Sequence, residues 1–171
     1  MNNTIIVATD KMGGIAKDGK IPWYYSEDLQ WFKTMTIGST VICGRKTYET
    51  LPKKMDFRNI ISVSRKTSDL DKILYENPHS YIIGGESIYN YCLATRSVKD
   101  IFLTYINEDY NCDKFFKVPP SFICVGEFAI SNRLNVKRYV KWTDWSENDK
   151  CKLLHKIYKT LNIPELKRET I

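Results

Sequence analysis

Asp28 sits on a helical face that is otherwise built for burial. The segment Ser26–Met35 (SEDLQWFKTM) carries the marks of a helix: Ser26 suits an N-cap, Glu27 and Asp28 place acid in the first turn, and Lys33 lies near the end. At helical spacing, positions 28, 31, 32 and 35 share one side, so Asp28 joins Trp31, Phe32 and Met35 on that stripe. A buried carboxylate is costly unless it finds a partner or its pKa rises. Position i+4 holds Phe32 rather than a cation, so a ligand bearing N–H groups could supply the missing donors. An acid in a first turn can also serve the helix dipole alone, and Asp28 by itself leaves both readings open.

Three further segments could bind an anion. Cys43-Gly44-Arg45-Lys46-Thr47 follows a strand with a close-turning glycine and two cations, and Thr47 sits where a helix is expected to begin. Ser64-Arg65-Lys66 sets a hydroxyl and two cations after another strand. Ile83-Gly84-Gly85-Glu86-Ser87 runs from a strand through two glycines into a helix N-terminus, where exposed N–H groups suit a pyrophosphate. The G-x-G-x-x-G fingerprint and the Walker lysine motif are both missing. Open α/β sheets bind ligands at strand C-termini, so the three ends together point to a dinucleotide. The paired cations Arg45-Lys46 and Arg65-Lys66 favour an extra phosphate, hence NADP over NAD.

The elements that must position these groups alternate. Strands are expected at Thr4–Thr9, Thr40–Cys43, Asn59–Ser64, Ser80–Ile83 and Ile101–Ile106, and a final pair at Ser121–Ser131 and Val136–Trp142. Helices are expected at Ser26–Met35, Tyr48–Leu51, Glu86–Leu93 and Glu147–Leu161, with a polar loop from Asp10 to Pro22. In the last helix Leu154, Ile157, Tyr158 and Leu161 share a face, and Pro164 would stop it. This alternation predicts an α/β fold: a single-domain three-layer sandwich whose central sheet is mostly parallel, with an antiparallel C-terminal strand.

A chain of 171 residues with 43% hydrophobic and 27% charged content fits one globular core. No apolar run reaches the ~20 residues that cross a bilayer, and the N-terminus lacks a signal-peptide pattern, so a cytoplasmic location is expected. The five cysteines are widely spaced with no C-x-x-C pair, and the two histidines lie far apart. Reduced thiols, no metal and no Ser-His-Asp triad are therefore expected. The net charge of +6 favours anionic partners, and most of the basic excess lies from Arg133 onward.

In this order, the segments resemble dihydrofolate reductase. The matching pieces are Gly14-Ile15-Ala16-Lys17-Asp18-Gly19-Lys20-Ile21-Pro22-Trp23, Asp28-Leu29-Gln30-Trp31-Phe32-Lys33, Gly44-Arg45-Lys46-Thr47-Tyr48-Glu49, Arg58 with Ser64-Arg65, Ile83-Gly84-Gly85-Glu86-Ser87-Ile88-Tyr89, Leu103-Thr104, and Asp113-Lys114-Phe115-Phe116. The likeness spans about Thr4 to Trp142, with Ala16 in place of a family glycine. It implies NADPH-dependent reduction of 7,8-dihydrofolate to tetrahydrofolate, supporting one-carbon metabolism and thymidylate synthesis.

The resemblance also implies roles. Asp28, in one network with Thr104, would bind the pterin amino group and ring N–H, and favour protonation of N5 through water. Ile6, Val7, Ala8, Leu29, Phe32, Leu51 and Ile83 would form the apolar pocket. Arg58, helped by Lys33, would hold the glutamate tail, since an arginine fork suits a carboxylate. Gly44, Arg45, Lys46, Thr47, Ser64, Arg65 and Lys66 would take the adenosine phosphates. Ala8, Ile83, Glu86, Ser87, Ile88 and Tyr89 would complete the cofactor groove around Gly84-Gly85, which carry the family's cis peptide. Gly14, Ile15, Ala16, Lys17, Asp18, Gly19 and Lys20 would cover the nicotinamide, with Ile21 completing a mobile lid. Residues 1–145 would form the reductase domain and 146–171 a helical extension that caps it, forms a partner interface or is a remnant of fusion to a second enzyme; capping is favoured, and a monomer is expected.

Three other readings compete, one of them a degenerate homologue that binds NADPH without turnover, which the retained Asp28 disfavours. A riboflavin-pathway reductase of the same fold is disfavoured by the aspartate helix and Arg58. A nucleic-acid-binding protein draws support only from the charge, because no RNP, helix-turn-helix or finger motif is present. No membrane partner is expected.

Overall fold

The computed structural model describes residues 1–161 except 53–54, 65, 67 and 144–145, and describes the backbone alone at 153–154, 157–158 and 160–161. Its strands are β1 (Asn3–Thr9), β2 (Gly14–Ala16), β3 (Thr40–Gly44), β4 (Asn59–Val63), β5 (Tyr81–Ile82), β6 (Val98–Ile106), β7 (Lys114–Phe115), β8 (Phe122–Ala129) and β9 (Leu134–Lys141). Its helices are α1 (Ser26–Thr36), α2 (Arg45–Thr50), α3 (Leu70–Glu76), α4 (Glu86–Ala94) and α5 (Glu147–Leu161). Among the described residues, no helix is long and apolar enough to cross a membrane.

Seven strands form one sheet in the order β4-β3-β5-β1-β6-β9-β8, and β2 and β7 form a separate ribbon. The ladders from β4 through β6 are parallel. β9 runs against both β6 and β8, so it is the reversed strand at the C-terminal side. β1 lies centrally, and its run Ile5-Ile6-Val7 is buried throughout, as a parallel strand covered on both faces requires.

Chain order fixes where a crevice must open. From β1 the chain crosses through α1 to β3 on one side, whereas from β5 it crosses through α4 to β6 on the other. Right-handed crossovers in opposite directions place the two helices on opposite faces. The packing agrees. Ile88, Tyr89 and Cys92 of α4 join Leu74 of α3 in the core that holds Ile5, Val7, Ile101 and Leu103. On the other face Trp31 of α1 packs edge-on to Phe102, which is in register with Ile6. The layers separate between β1 and β5, at their carboxyl ends, where such sheets bind ligands.

Several local expectations need correction. Tyr25, not Ser26, is the N-cap of α1 and makes no side-chain cap bond. Tyr25 is buried with Ile106 and Leu134, so packing rather than a hydroxyl fixes the helix entry. The short helix α2 begins at Arg45 rather than near Tyr48, so Thr47 lies inside its first turn. The Asp10–Pro22 segment contains β2, and α3 and β7 were not expected at all. α3 is only seven residues long, too short for a clear 3.6-residue period, and is capped by Asp69 accepting from the Lys72 N–H. The expected apolar face of α5, at Leu154, Ile157, Tyr158 and Leu161, and Pro164 beyond it, lie outside what is described.

Leu74 anchors α3 with 1% of its surface exposed. Leu74→Ala is expected to lower the unfolding free energy by about 2–5 kcal/mol, read from urea denaturation, because the cavity lies far inside a packed core.

Candidate active site

The crevice is a cleft of about 1110 Å³, large enough to hold two extended organic ligands side by side. α1 brings Asp28, Leu29, Phe32 and Lys33 to one wall. The ends of β1 and β6 supply Ile6, Val7, Ala8 and Thr104 to the floor. β3, β4 and β5 end on Gly44, Ser64 and Ile83-Gly84, which extend the cleft sideways.

Asp28 is half-buried, and the Thr104 hydroxyl donates a hydrogen bond to its carboxylate. Thr104 itself is buried. Burial pushes the Asp28 carboxyl above its ordinary range, the Thr104 hydroxyl partly offsets this, and the charge of Glu27 pushes it further up. Glu27 is paired with Arg133, Nη2 to Oε1 2.8 Å, and Arg133 also stacks over Tyr25. A carboxylate so placed has acceptor capacity left over and faces an apolar cleft.

Arg58 stands at the cleft mouth. Its Nε donates to Thr36 Oγ1 at 2.8 Å, its Nη2 donates to the Lys33 carbonyl at 3.4 Å, and its plane lies over the Phe32 ring at 5.9 Å. These contacts hold the guanidinium on the rim beside Lys33.

The sideways arm carries the anion-binding geometry. α4 starts after Gly85 with no side-chain cap, which leaves its N-terminus facing the cleft. The Gly84–Gly85 peptide is cis, and the Gly44 N–H donates to the Gly84 carbonyl at 2.7 Å, which joins the two glycine turns. A methyl group at Gly44 would stand 3.2 Å from the Ile88 side chain, so α4 packs closely over this turn. Arg45 and Lys46 are exposed at this arm's edge. The donor set therefore fits a pyrophosphate with a further phosphate beside it.

The lid is more ordered than a loop. Lys17 and Lys20 exchange backbone hydrogen bonds of 2.8 and 2.9 Å around Asp18 (φ 49°) and Gly19 (φ 75°), a tight Asp-Gly hairpin turn. β2 pairs with β7, and Asp113 Oδ2 accepts the Asp18 N–H at 2.9 Å. Ile15, Ala16, Gly19, Lys20 and the largely exposed Ile21 face the cleft.

The structure brings to the cleft every residue expected to bind substrate, and most of those expected to bind cofactor. Gly14, Lys17, Asp18 and Lys66 do not line it. Gly14 turns toward Cys112, and Lys17 and Asp18 lie on the outer side of the hairpin. Arg65 lies outside the described residues. Sequence reasoning did not assign Trp23, Ile37, Thr50, Met55, Phe57 and Asp113 to the cleft, although all line it. The Asp18-Gly19 dipeptide was a readable hairpin signal, whereas nothing local marks Phe57.

Comparison with known proteins agrees with this geometry. Residues 3–129 match the family model for dihydrofolate reductase. The chain belongs to the dihydrofolate reductase family. Among its relatives is the dihydrofolate reductase of Buchnera aphidicola from Baizongia pistaciae, 32% identical over 130 residues, covering 68% of this chain and 77% of that one. The bifunctional dihydrofolate reductase-thymidylate synthase of Paramecium tetraurelia is 34% identical over 128 residues, covering 66% of this chain. This chain spans only 27% of that longer protein. A solved dihydrofolate reductase from Enterococcus faecalis, complexed with NADP(H) and RAB-propyl, has the same fold, with a TM-score of 0.70 at 22% identity over 82% of this chain and 96% of that one.

The raised pKa of Asp28 has a signed consequence. Where the folded carboxyl still holds its proton and the unfolded one does not, the folded state binds more protons, so stability falls as pH rises through that window. Asp28→Asn removes the contribution. Its unfolding midpoint is expected to match the wild type in acid and to exceed it increasingly toward neutral pH, as followed by thermal melts of the free protein across pH.

Proposed function

We propose that this chain reduces 7,8-dihydrofolate to tetrahydrofolate with NADPH. The observation that carries the reading is the Asp28 carboxylate, braced by Thr104, on the α1 wall of an apolar cleft whose other arm ends at the glycine-started helix α4. When bound, NADPH supplies the hydride.

Asp28 accepts the amino and ring N–H groups of the pterin, which gives its carboxylate the donors that α1 does not provide. The two oxygens fix the heterocycle in plane and register, with the Thr104 hydroxyl completing the network. Asp28 also raises the proton affinity of the ring, so N5 takes its proton from water admitted beside it. Ile6, Val7, Ala8, Leu29, Phe32, Leu51 and Ile83 hold the flat ring and the aminobenzoyl group and exclude bulk water. Arg58 and Lys33 at the rim receive the tail carboxylates. Gly44, Arg45, Lys46, Thr47 and Ser64, with the turn at Gly84-Gly85 and α4, hold the phosphates. Ile15, Ala16, Gly19, Lys20 and Ile21 cover the nicotinamide end.

Residues 1–145 are assigned to the reductase domain and 146–171 to an extension that caps it. A cytoplasmic setting suits five cysteines that form no disulfide.

Steady-state oxidation of NADPH tests the reading: turnover is expected with dihydrofolate and none with the riboflavin-pathway pyrimidine, and the reverse would replace it by the rival reductase. Asp28→Asn is expected to retain NADPH binding while turnover near neutral pH falls by about 10²–10⁴-fold. Arg58→Leu is expected to raise the Michaelis constant for dihydrofolate by about tenfold, as loss of a charge-assisted bond predicts, with that for NADPH nearly unchanged.

A further inference from the structure

Asp10 lies outside the cleft lining, at the carboxyl end of β1, and its residue surface is only 1% exposed. Oδ1 accepts the N–H of Met12 at 2.9 Å and that of Gly14 at 2.7 Å. Oδ2 accepts the Tyr110 N–H at 3.1 Å, and the Cys112 thiol donates to the same carboxylate. Burial opposes its charge, yet the amides of Gly14, Tyr110 and Met12 together hold the carboxyl below its ordinary range. One ionised side chain therefore ties the start of the lid to the 108–116 segment, which lies about a hundred residues away in sequence.

The two segments also fit closely. A Cβ at Gly14 would stand 2.3 Å from Cys112 Cβ and 2.9 Å from Asp10 Oδ2, so the first residue of β2 lies flush against Cys112. The contact continues outward. Lys11 N–H donates to the Glu108 carbonyl, Phe116 N–H to the Gly13 carbonyl and Asp113 N–H to the Ala16 carbonyl, each at 2.9 Å. The residues that follow directly on this strip, Ile15 to Ile21, include those facing the cleft.

We propose that Asp10 is a positioning residue for the lid: its carboxylate fixes β2 on the 108–116 segment and so sets how Ile15, Ala16 and Ile21 close over the nicotinamide end of the cleft. The inference rests on the functional reading above. Asp10 touches neither ligand and acts only through the backbone it holds. A carboxylate suits the task because all four donors converge on two oxygens. Asparagine keeps the size but turns an NH₂ group toward the Tyr110 N–H, donor against donor, which releases one segment from the other.

The test compares wild type and Asp10→Asn as full chains. NADPH and 7,8-dihydrofolate affinities are measured separately by fluorescence titration, and backbone amide exchange is followed in the ligand-free protein. The expected result is a rise of about tenfold in the NADPH dissociation constant, with dihydrofolate affinity within about twofold and faster exchange at residues 11–18. Equal weakening of both ligands, or unchanged NADPH affinity, overturns the proposal and leaves Asp10 a purely structural anion.

If Asp10→Asn does not fold, Gly14→Ala and the double variant Gly14→Ala with Cys112→Gly take its place. The single change is expected to weaken NADPH binding; the double variant relieves the contact with Cys112 but not that with Asp10 Oδ2, and is expected to restore part of it, whereas no recovery at all overturns the proposal. A wild type that binds NADPH and turns over dihydrofolate keeps the functional reading whatever Asp10 does. An inert wild type removes both.

Discussion

One carboxylate on an apolar surface sets the terms for the rest of the molecule. Asp28 gains from α1 only the dipole of a first turn, and the Thr104 hydroxyl across the sheet is its hydrogen-bond donor. A charged group held this way costs stability in the free protein. The cost is tolerable because the remaining walls are rigid: Thr104 lies on a buried strand paired on both sides, and Trp31 is wedged between Phe102 and Phe128 on the same face. The carboxylate therefore stays aimed into the cleft instead of turning outward to water. On the proposed reading, ligand binding completes a hydrogen-bond set that the fold leaves short.

The cleft itself follows from topology. Right-handed crossovers to opposite sides of β1 and β5 put α1 and α4 on opposite faces, so the sheet's carboxyl edge opens between them. The acid then belongs to one helix and the anion-binding N-terminus to the other. A flat heterocycle and a dinucleotide can meet edge to edge only because these two helices diverge from adjacent strands. A separate device, the β2–β7 ribbon, borders the cleft, and it is attached through backbone amides, the buried Asp10 carboxylate and the exposed Asp113 carboxylate, with Ile15 of β2 packed on the main core.

Much of the framework was legible along the chain. Buried parallel strands announce themselves as short β-branched runs, and β1, β3, β4 and β6 were each placed to within a few residues. The acid on an apolar helical face and the strand-glycine-helix passages were also visible, because both are patterns of i to i+7 spacing. Short elements carry little periodicity, which is why α2 was misplaced and α3, β2 and β7 went unseen; β5, equally short, was legible because its apolar residues run directly into Gly84-Gly85.

The fold class, the helix that bears the acid and the glycine turns beside paired cations could thus be read along the chain, since each depends on local spacing and residue chemistry. Folding in three dimensions settled that Asp28 meets Thr104, that the Arg58 guanidinium lies over the Phe32 ring, that Phe57 borders the cleft, and that Gly14 and Asp18 contact the 108–116 segment rather than the cleft. These are contacts between residues far apart in the chain. Their geometry is set by strand order and crossover handedness, which no window of neighbouring residues contains.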